Sequence, residues 1–153
     1  MSIEANLAIT LQNRKACKKI LDSLSIDQIN QIPSGFNNNI LWNCAHIIAV
    51  QQMLTYGLIN QAFTVDKTFV FRFSPGTKPD GWHDELFVNE VKALLFSTFE
   101  QLREDINTDI FQEFNPFLTA LKFEINDREK AVAFNQYHEA LHMGHILNIR
   151  KFL

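Results

Sequence analysis

Residues 126–153 read NDREKAVAFNQYHEALHMGHILNIRKFL, and this closing stretch decides how the rest of the chain is read. Asn126 followed three residues later by Glu129 has the form of a capping box, with Asn in place of the usual Ser or Thr. It predicts a helix that starts there and runs to the C-terminus. At about 100° per residue, His142 lies about 40° to one side of His138 and His145 about 20° to the other, so all three share a face. Ala131, Phe134, Leu141, Ile149 and Phe152 fall on that face too, which predicts that the histidines lie on the stripe turned into a core.

The same periodicity recurs upstream. Ile3, Leu7, Leu11, Cys17, Leu21 and Leu24 give a first helix over residues 3–24. Pro33-Ser34-Gly35 breaks it, and Asn37, Asn38 and Asn39 offer a cap for a second helix over about residues 40–58. Residues 60–84 carry Phe69-Val-Phe-Arg-Phe73, Pro75-Gly76 and Pro79-Asp-Gly81, so no amphipathic helix continues through them and a long connection is expected. Phe87, Val91, Leu95, Thr98, Leu102 and Ile106 restore helical spacing for a third helix. Between it and the last one, Phe114–Phe117 and Leu121–Ile125 suggest a loop with one short extended segment. The expectation is an all-α fold, a four-helix bundle with long connections, as a single domain over residues 1–153.

Composition limits the function classes. Fourteen Lys+Arg against 17 Asp+Glu leave a net charge of -3, with no basic run of the kind that phosphates require, so no nucleic-acid partner is expected. No apolar stretch is long enough to span a bilayer, and Met1–Asn6 lacks the form of an export signal, so neither a membrane partner nor export is expected. Two cysteines, Cys17 and Cys44, are too few for a disulfide framework and suit a reducing cytoplasm. Fourteen phenylalanines, most of them in the second half, read as core or pocket lining.

The chemistry concentrates on the histidines. An i, i+4 pair, His138 and His142, sets two imidazoles side by side at a distance suited to one ion. Several buried imidazoles also need partners, and protonating them together would gather like charges in a poorly solvated place, a conflict that a divalent metal removes. The alternative is that the rings hydrogen-bond to Asn135, Gln136 or backbone carbonyls. A third ligand is His46 on the second helix, in one stripe with Trp42, Ala49 and Met53. Cys44 lies about 200° around that helix and is excluded, Cys17 reads as a small core residue, and His83 reads as a surface or helix-start residue. His145 is either a fourth ligand or a hydrogen-bonding support for the others.

These residues resemble the DinB-like superfamily, helical-bundle proteins related to thiol-dependent S-transferases of bacteria. The likeness rests on Gly35-Phe-Asn-Asn-Asn-Ile-Leu-Trp-Asn-Cys-Ala-His46 and on His138–Leu147 with Arg150, and the order of elements between the blocks extends it over nearly the whole chain. It implies one histidine from the second helix and an HxxxH pair from the last, here His46, His138 and His142, holding a divalent transition metal, zinc or nickel. Where this chain has His145, many relatives have Gln. The resemblance further implies two readings. One is a metal-dependent transfer of a low-molecular-weight thiol such as bacillithiol, mycothiol or glutathione to a small electrophile, in which Trp42, Met53, Tyr56 and Phe134 would line the acceptor pocket, with plain core packing the alternative for at least two of them. The other is a non-catalytic metal-bound stress-response or scaffold protein. A cytoplasmic homodimer is expected in either case.

Overall fold

The computed structural model describes residues 2–153. Four long helices dominate it: α1 (Ile3–Ser23), α3 (Ile40–Leu54), α5 (Glu85–Asp105) and α6 (Arg128–Ile149). Each of α1 and α3 packs against both α5 and α6. The all-α four-helix bundle expected from the periodicity is therefore the architecture observed. Among the described residues, no helix is long and apolar enough to cross a membrane.

The helix starts follow local capping chemistry. Asn39 accepts from the Trp42 amide at the head of α3, and Asp84 accepts from the Phe87 amide at the head of α5. The last helix is capped one residue later than the sequence pattern indicated. Asp127 accepts from the Lys130 amide at 2.7 Å, while Asn126 turns its side chain to Glu124 and Lys130. A carboxylate at this point also faces the positive end of the helix dipole, which favours Asp127 over its neutral neighbour.

The connections hold more structure than their composition suggests. A short helix α2 (Ile26–Asn30) follows α1, closed by a Ser25–Gln28 capping box and pinned by buried Ile29. Helix α3 stops at Leu54, not near Leu58; its chain turns at Thr55 into a short 3-10 turn, Gly57–Ile59. Inside the long connection, Lys67–Arg72 form α4, capped by Asp66 on the Thr68 amide. A helical turn places Phe69, Val70 and Phe73 together against the core and leaves Phe71 outside, which an extended strand with its period of two could not do. Between α5 and α6, strands β1 (Phe117–Leu118) and β2 (Glu124–Ile125) pair antiparallel. Ile125 anchors this hairpin in an apolar cluster with Val50, Leu54 and Ala131.

Helix α3 is buried on nearly every side and is the centre of the core. Helix α6 is rotated relative to the expectation. Its buried residues are Ala131, Val132, Asn135, Glu139, Ile146 and Ile149, centred roughly 65° around the helix from His138. The face carrying the histidines is consequently the edge of the buried stripe. Leu141 and Phe152, expected inside, are exposed.

Arg14 causes that rotation. Its side chain is fully buried and ion-paired with equally buried Glu139, Nη2 to Oε1 at 2.7 Å. The guanidinium also donates to Gln51 Oε1 of α3 at 2.7 Å and, from α5, to Thr98 Oγ1 at 2.8 Å and the Leu95 carbonyl at 2.9 Å. One side chain of α1 thus meets all three other long helices. Removing one partner of such a buried pair strands a charge, at about 3–5 kcal/mol. Arg14→Ala is expected to destabilise the protein by that amount in urea unfolding, and Arg14→Met combined with Glu139→Leu is expected to cost less than Arg14→Ala alone.

Candidate metal centre

His46 comes from the middle of α3 and His138 and His142 from successive turns of α6. Their ring centroids are 4.5 Å apart for His46 and His142, 4.5 Å for His138 and His142, and 5.2 Å for His46 and His138. One nitrogen from each ring lies within 4.8 Å of one from each of the others, which fits three donors to a single ion. His46 is buried, while His138 and His142 are half-buried at the edge of the bundle.

Hydrogen bonds orient two of the rings. His46 Nδ1 lies 2.6 Å from the carbonyl of Phe73, the residue that ends α4. Since a carbonyl can only accept, that nitrogen carries the proton and Nε2 keeps its lone pair. His142 Nδ1 lies 2.8 Å from Asn43 Oδ1. The Asn43 amide nitrogen donates to Asn38 Oδ1 and to the Asn39 carbonyl, so its oxygen is the acceptor and His142 Nε2 is likewise a free donor atom. His138 differs: its Nδ1 is buried with no hydrogen-bond partner among the described residues. Two oriented lone pairs beside a third ring with an unsatisfied nitrogen form a donor set that fits a divalent ion such as zinc or nickel.

The electrostatics agree with that fit. Burial holds His46 below the ordinary imidazole range, partly opposed by the Phe73 carbonyl. Burial, then the proximity of His46, pushes His138 down to about 4. Burial, then His138, His46 and His145, pushes His142 down to about 3. All three are neutral at pH 7, the form that coordinates metal.

The remaining candidates fall outside the cluster. His145 Nε2 donates to Asn38 Oδ1 at 3.1 Å, and its ring packs edge-on against Phe36. It connects to His142 only through Asn38 and Asn43. Cys44 is buried in the core, its thiol pushed well up by a hydrogen bond with Cys17 and by burial, and it takes no part in the centre. His83 immediately precedes the Asp84 cap of α5 and stacks on Phe87.

A cavity of about 510 Å³ opens beside the centre and is lined by His46 and His138 themselves. Trp42, Met53 and Phe134 border it, and Trp42 stacks on His46 at 4.5 Å. Tyr56 does not. Because α3 ends at Leu54, the chain turns Tyr56 away into a second cluster, where its hydroxyl donates to Asp105 at 2.7 Å. The cavity walls also include residues from both connections, Pro75 and Gly76 after α4 and Thr119 and Ala120 of the hairpin.

Sequence reasoning missed Asn43 and the Phe73 carbonyl. Asn43 did leave a signal, being an amide inside an otherwise apolar helical run, which must find a partner when buried. The carbonyl left none, since every residue carries one.

Fold and centre together define an all-helical bundle whose edge holds three histidines able to bind one metal ion. The family model of the DinB superfamily matches residues 10–146, and the chain belongs to that superfamily. No curated protein matches it.

Two consequences can be measured. Asn43→Ala removes the acceptor that orients His142 and is expected to weaken zinc binding by about 10- to 100-fold in a chelator competition titration. In metal-free protein, the lowered histidine pKa values mean that the unfolded chain binds more protons below about pH 6.5. The stability is therefore complete above that pH and lost progressively as the pH falls towards 4 and 3. Urea unfolding between pH 6.5 and 5, above the carboxylate range, is expected to show this slope in wild type and a shallower one in His142→Ala.

Proposed function

We propose that the protein is a metal-dependent thiol S-transferase, joining a low-molecular-weight thiol to a small electrophile at the three-histidine centre. The observation that carries this reading is the cavity lined by His46 and His138, which gives a second molecule room beside the ion. A centre with a structural role alone is normally closed by a fourth protein ligand. His145, the candidate for that place, lies outside the cluster and is engaged by Asn38.

His46, His138 and His142 would hold the ion. When bound, zinc or nickel supplies a Lewis acid that keeps a thiol deprotonated at neutral pH, so no dedicated protein base is required. The Phe73 carbonyl and Asn43 hold two of the ligand rings in the tautomer that leaves Nε2 free. The apolar walls of the cavity position the electrophile and exclude water from it. In the transfer a carbon–sulfur bond forms as the carbon–leaving-group bond breaks. The thiol proton and the leaving group pass to solvent, or the proton ends on the ring oxygen when the electrophile is an epoxide. The same reading takes the protein as a cytoplasmic homodimer in a stress response, and the exposed apolar side chains of the hairpin and outer α6, Leu121, Phe123 and Tyr137 among them, support association.

The test is turnover of glutathione or bacillithiol with a chlorinated aromatic or an epoxide, followed by product mass spectrometry on zinc- and nickel-loaded protein. His138→Ala is expected to abolish both metal binding and transfer. His145→Gln is expected to retain most of both, because a Gln amide can also donate to Asn38. No product with any thiol, from folded and metal-loaded protein, would leave a non-catalytic metal-bound role.

A further inference from the structure

The cavity beside the candidate centre has no charged wall of its own. None of its lining residues is Asp, Glu, Lys or Arg, and its walls are mostly apolar, with Val50, Met53 and Leu54 on the α3 side and Phe134 on the α6 side. Thr119 supplies the one hydroxyl, which accepts from the Phe123 amide. The volume of about 510 Å³ suits a small organic molecule. Yet His46 and His138, two of the three rings able to hold an ion, are themselves part of the lining. A divalent ion on those rings would be the sole strong positive charge at the border of an apolar space, where little water screens it.

That combination restricts what can bind well. The apolar walls favour hydrocarbon in proportion to the area it removes from water. An anionic group brought among them loses hydration that no wall residue replaces, and the ion at the histidines is the one partner that can compensate it. A neutral hydrocarbon uses the walls and leaves the ion to water, while a small hydrated anion uses the ion and leaves the walls empty. A molecule that joins the two parts gains both contacts with a single loss of translational freedom. A carboxylate qualifies as the anionic part, because it is ionised at neutral pH and its oxygen is an ordinary ligand of zinc.

We propose that the cavity and the metal centre together form a binding site for an amphiphilic monocarboxylate, its head on the ion held by His46, His138 and His142 and its hydrocarbon body against the walls from α3 and α6. The inference rests on the metal centre and goes beyond the transfer reading, since it holds whether or not the protein transfers thiols.

Four combinations separate head from body: octanoate and 1-octanol, each against zinc-loaded and metal-free protein, by equilibrium dialysis at about pH 8, where free imidazole is neutral. Octanol is expected to bind both forms about equally. Octanoate is expected to bind the zinc-loaded form at least about tenfold more tightly than the metal-free form. Butanoate lacks four of the CH2 groups and is expected to bind zinc-loaded protein on the order of 100-fold more weakly than octanoate. In cobalt-loaded protein, octanoate should shift the visible absorption bands of the ion and octanol should not. His142 is a ligand candidate that does not line the cavity, so His142→Ala removes the ion and spares the walls. At a zinc concentration that loads wild type only, this variant should bind octanoate as metal-free wild type does. Met53→Trp, which fills space at a half-buried wall, should shrink the octanoate-to-butanoate ratio, a comparison made within one variant and so insensitive to its stability.

Equal octanoate binding with and without zinc, or cobalt bands that stay unchanged at saturating octanoate, would overturn the proposal. So would butanoate binding as tightly as octanoate, or no saturable octanoate binding to protein that holds zinc at its histidines; that last result would leave the metal centre standing. Binding in the expected order by protein that shows no thiol transfer would support the ligand class and reject only the transferase role.

Discussion

The buried Arg14–Glu139 pair is the constraint on which the arrangement of the helices depends. A guanidinium has no acceptor capacity and cannot shed its charge, so in a core it must find a carboxylate and acceptors for its remaining protons. Here they come from α6, α3 and α5 at once. Gln51 extends the network by donating to the Thr98 carbonyl, and Asn135 adds a donor to Glu139. Apolar packing supplies most of the driving force for a bundle of this kind, but it tolerates rotation and sliding of helices. A directional network does not, and this one specifies the register of all four.

Its consequence for the site is geometric. Glu139 directly follows His138, so drawing Glu139 to the centre of the core swings His138 about 100° away from it. The histidine pair is left at the edge of the bundle, close enough to α3 to meet His46 and open enough to border a cavity. The ion pair and the α6 part of the candidate metal centre thus lie on adjacent faces of one helix.

The connections complete what the helices begin. Helix α4, only six residues long, ends with the carbonyl that fixes the His46 tautomer, and the residues after it border the cavity. The hairpin before α6 closes the other side and is tied down by Ile125 alone among its paired residues, the others being exposed. The Asn run before α3 has a double use: Asn39 caps the helix, while Asn38 joins Asn43 to His145. His145 is thereby linked to Asn43, the residue that orients His142.

The sequence by itself determined the four long helices, their breaks at proline and glycine, and the sharing of one face by His138, His142 and His145. Each of these follows from rules that act within a few residues: 3.6-residue periodicity, capping and the conformational limits of proline and glycine. The pairing of His46 with the α6 histidines was also legible, because only one other histidine lay on a helical apolar stripe. Only the tertiary structure decided which way α6 turns, since Arg14 and Glu139 stand 125 residues apart. It likewise decided that FVFRF folds as a helical turn, that Tyr56 leaves the cavity, and that Asn43 and the Phe73 carbonyl orient the rings of His142 and His46. These depend on contacts between segments distant in the chain, where hydrogen-bond satisfaction and packing override local pattern, and no spacing within a single segment records them.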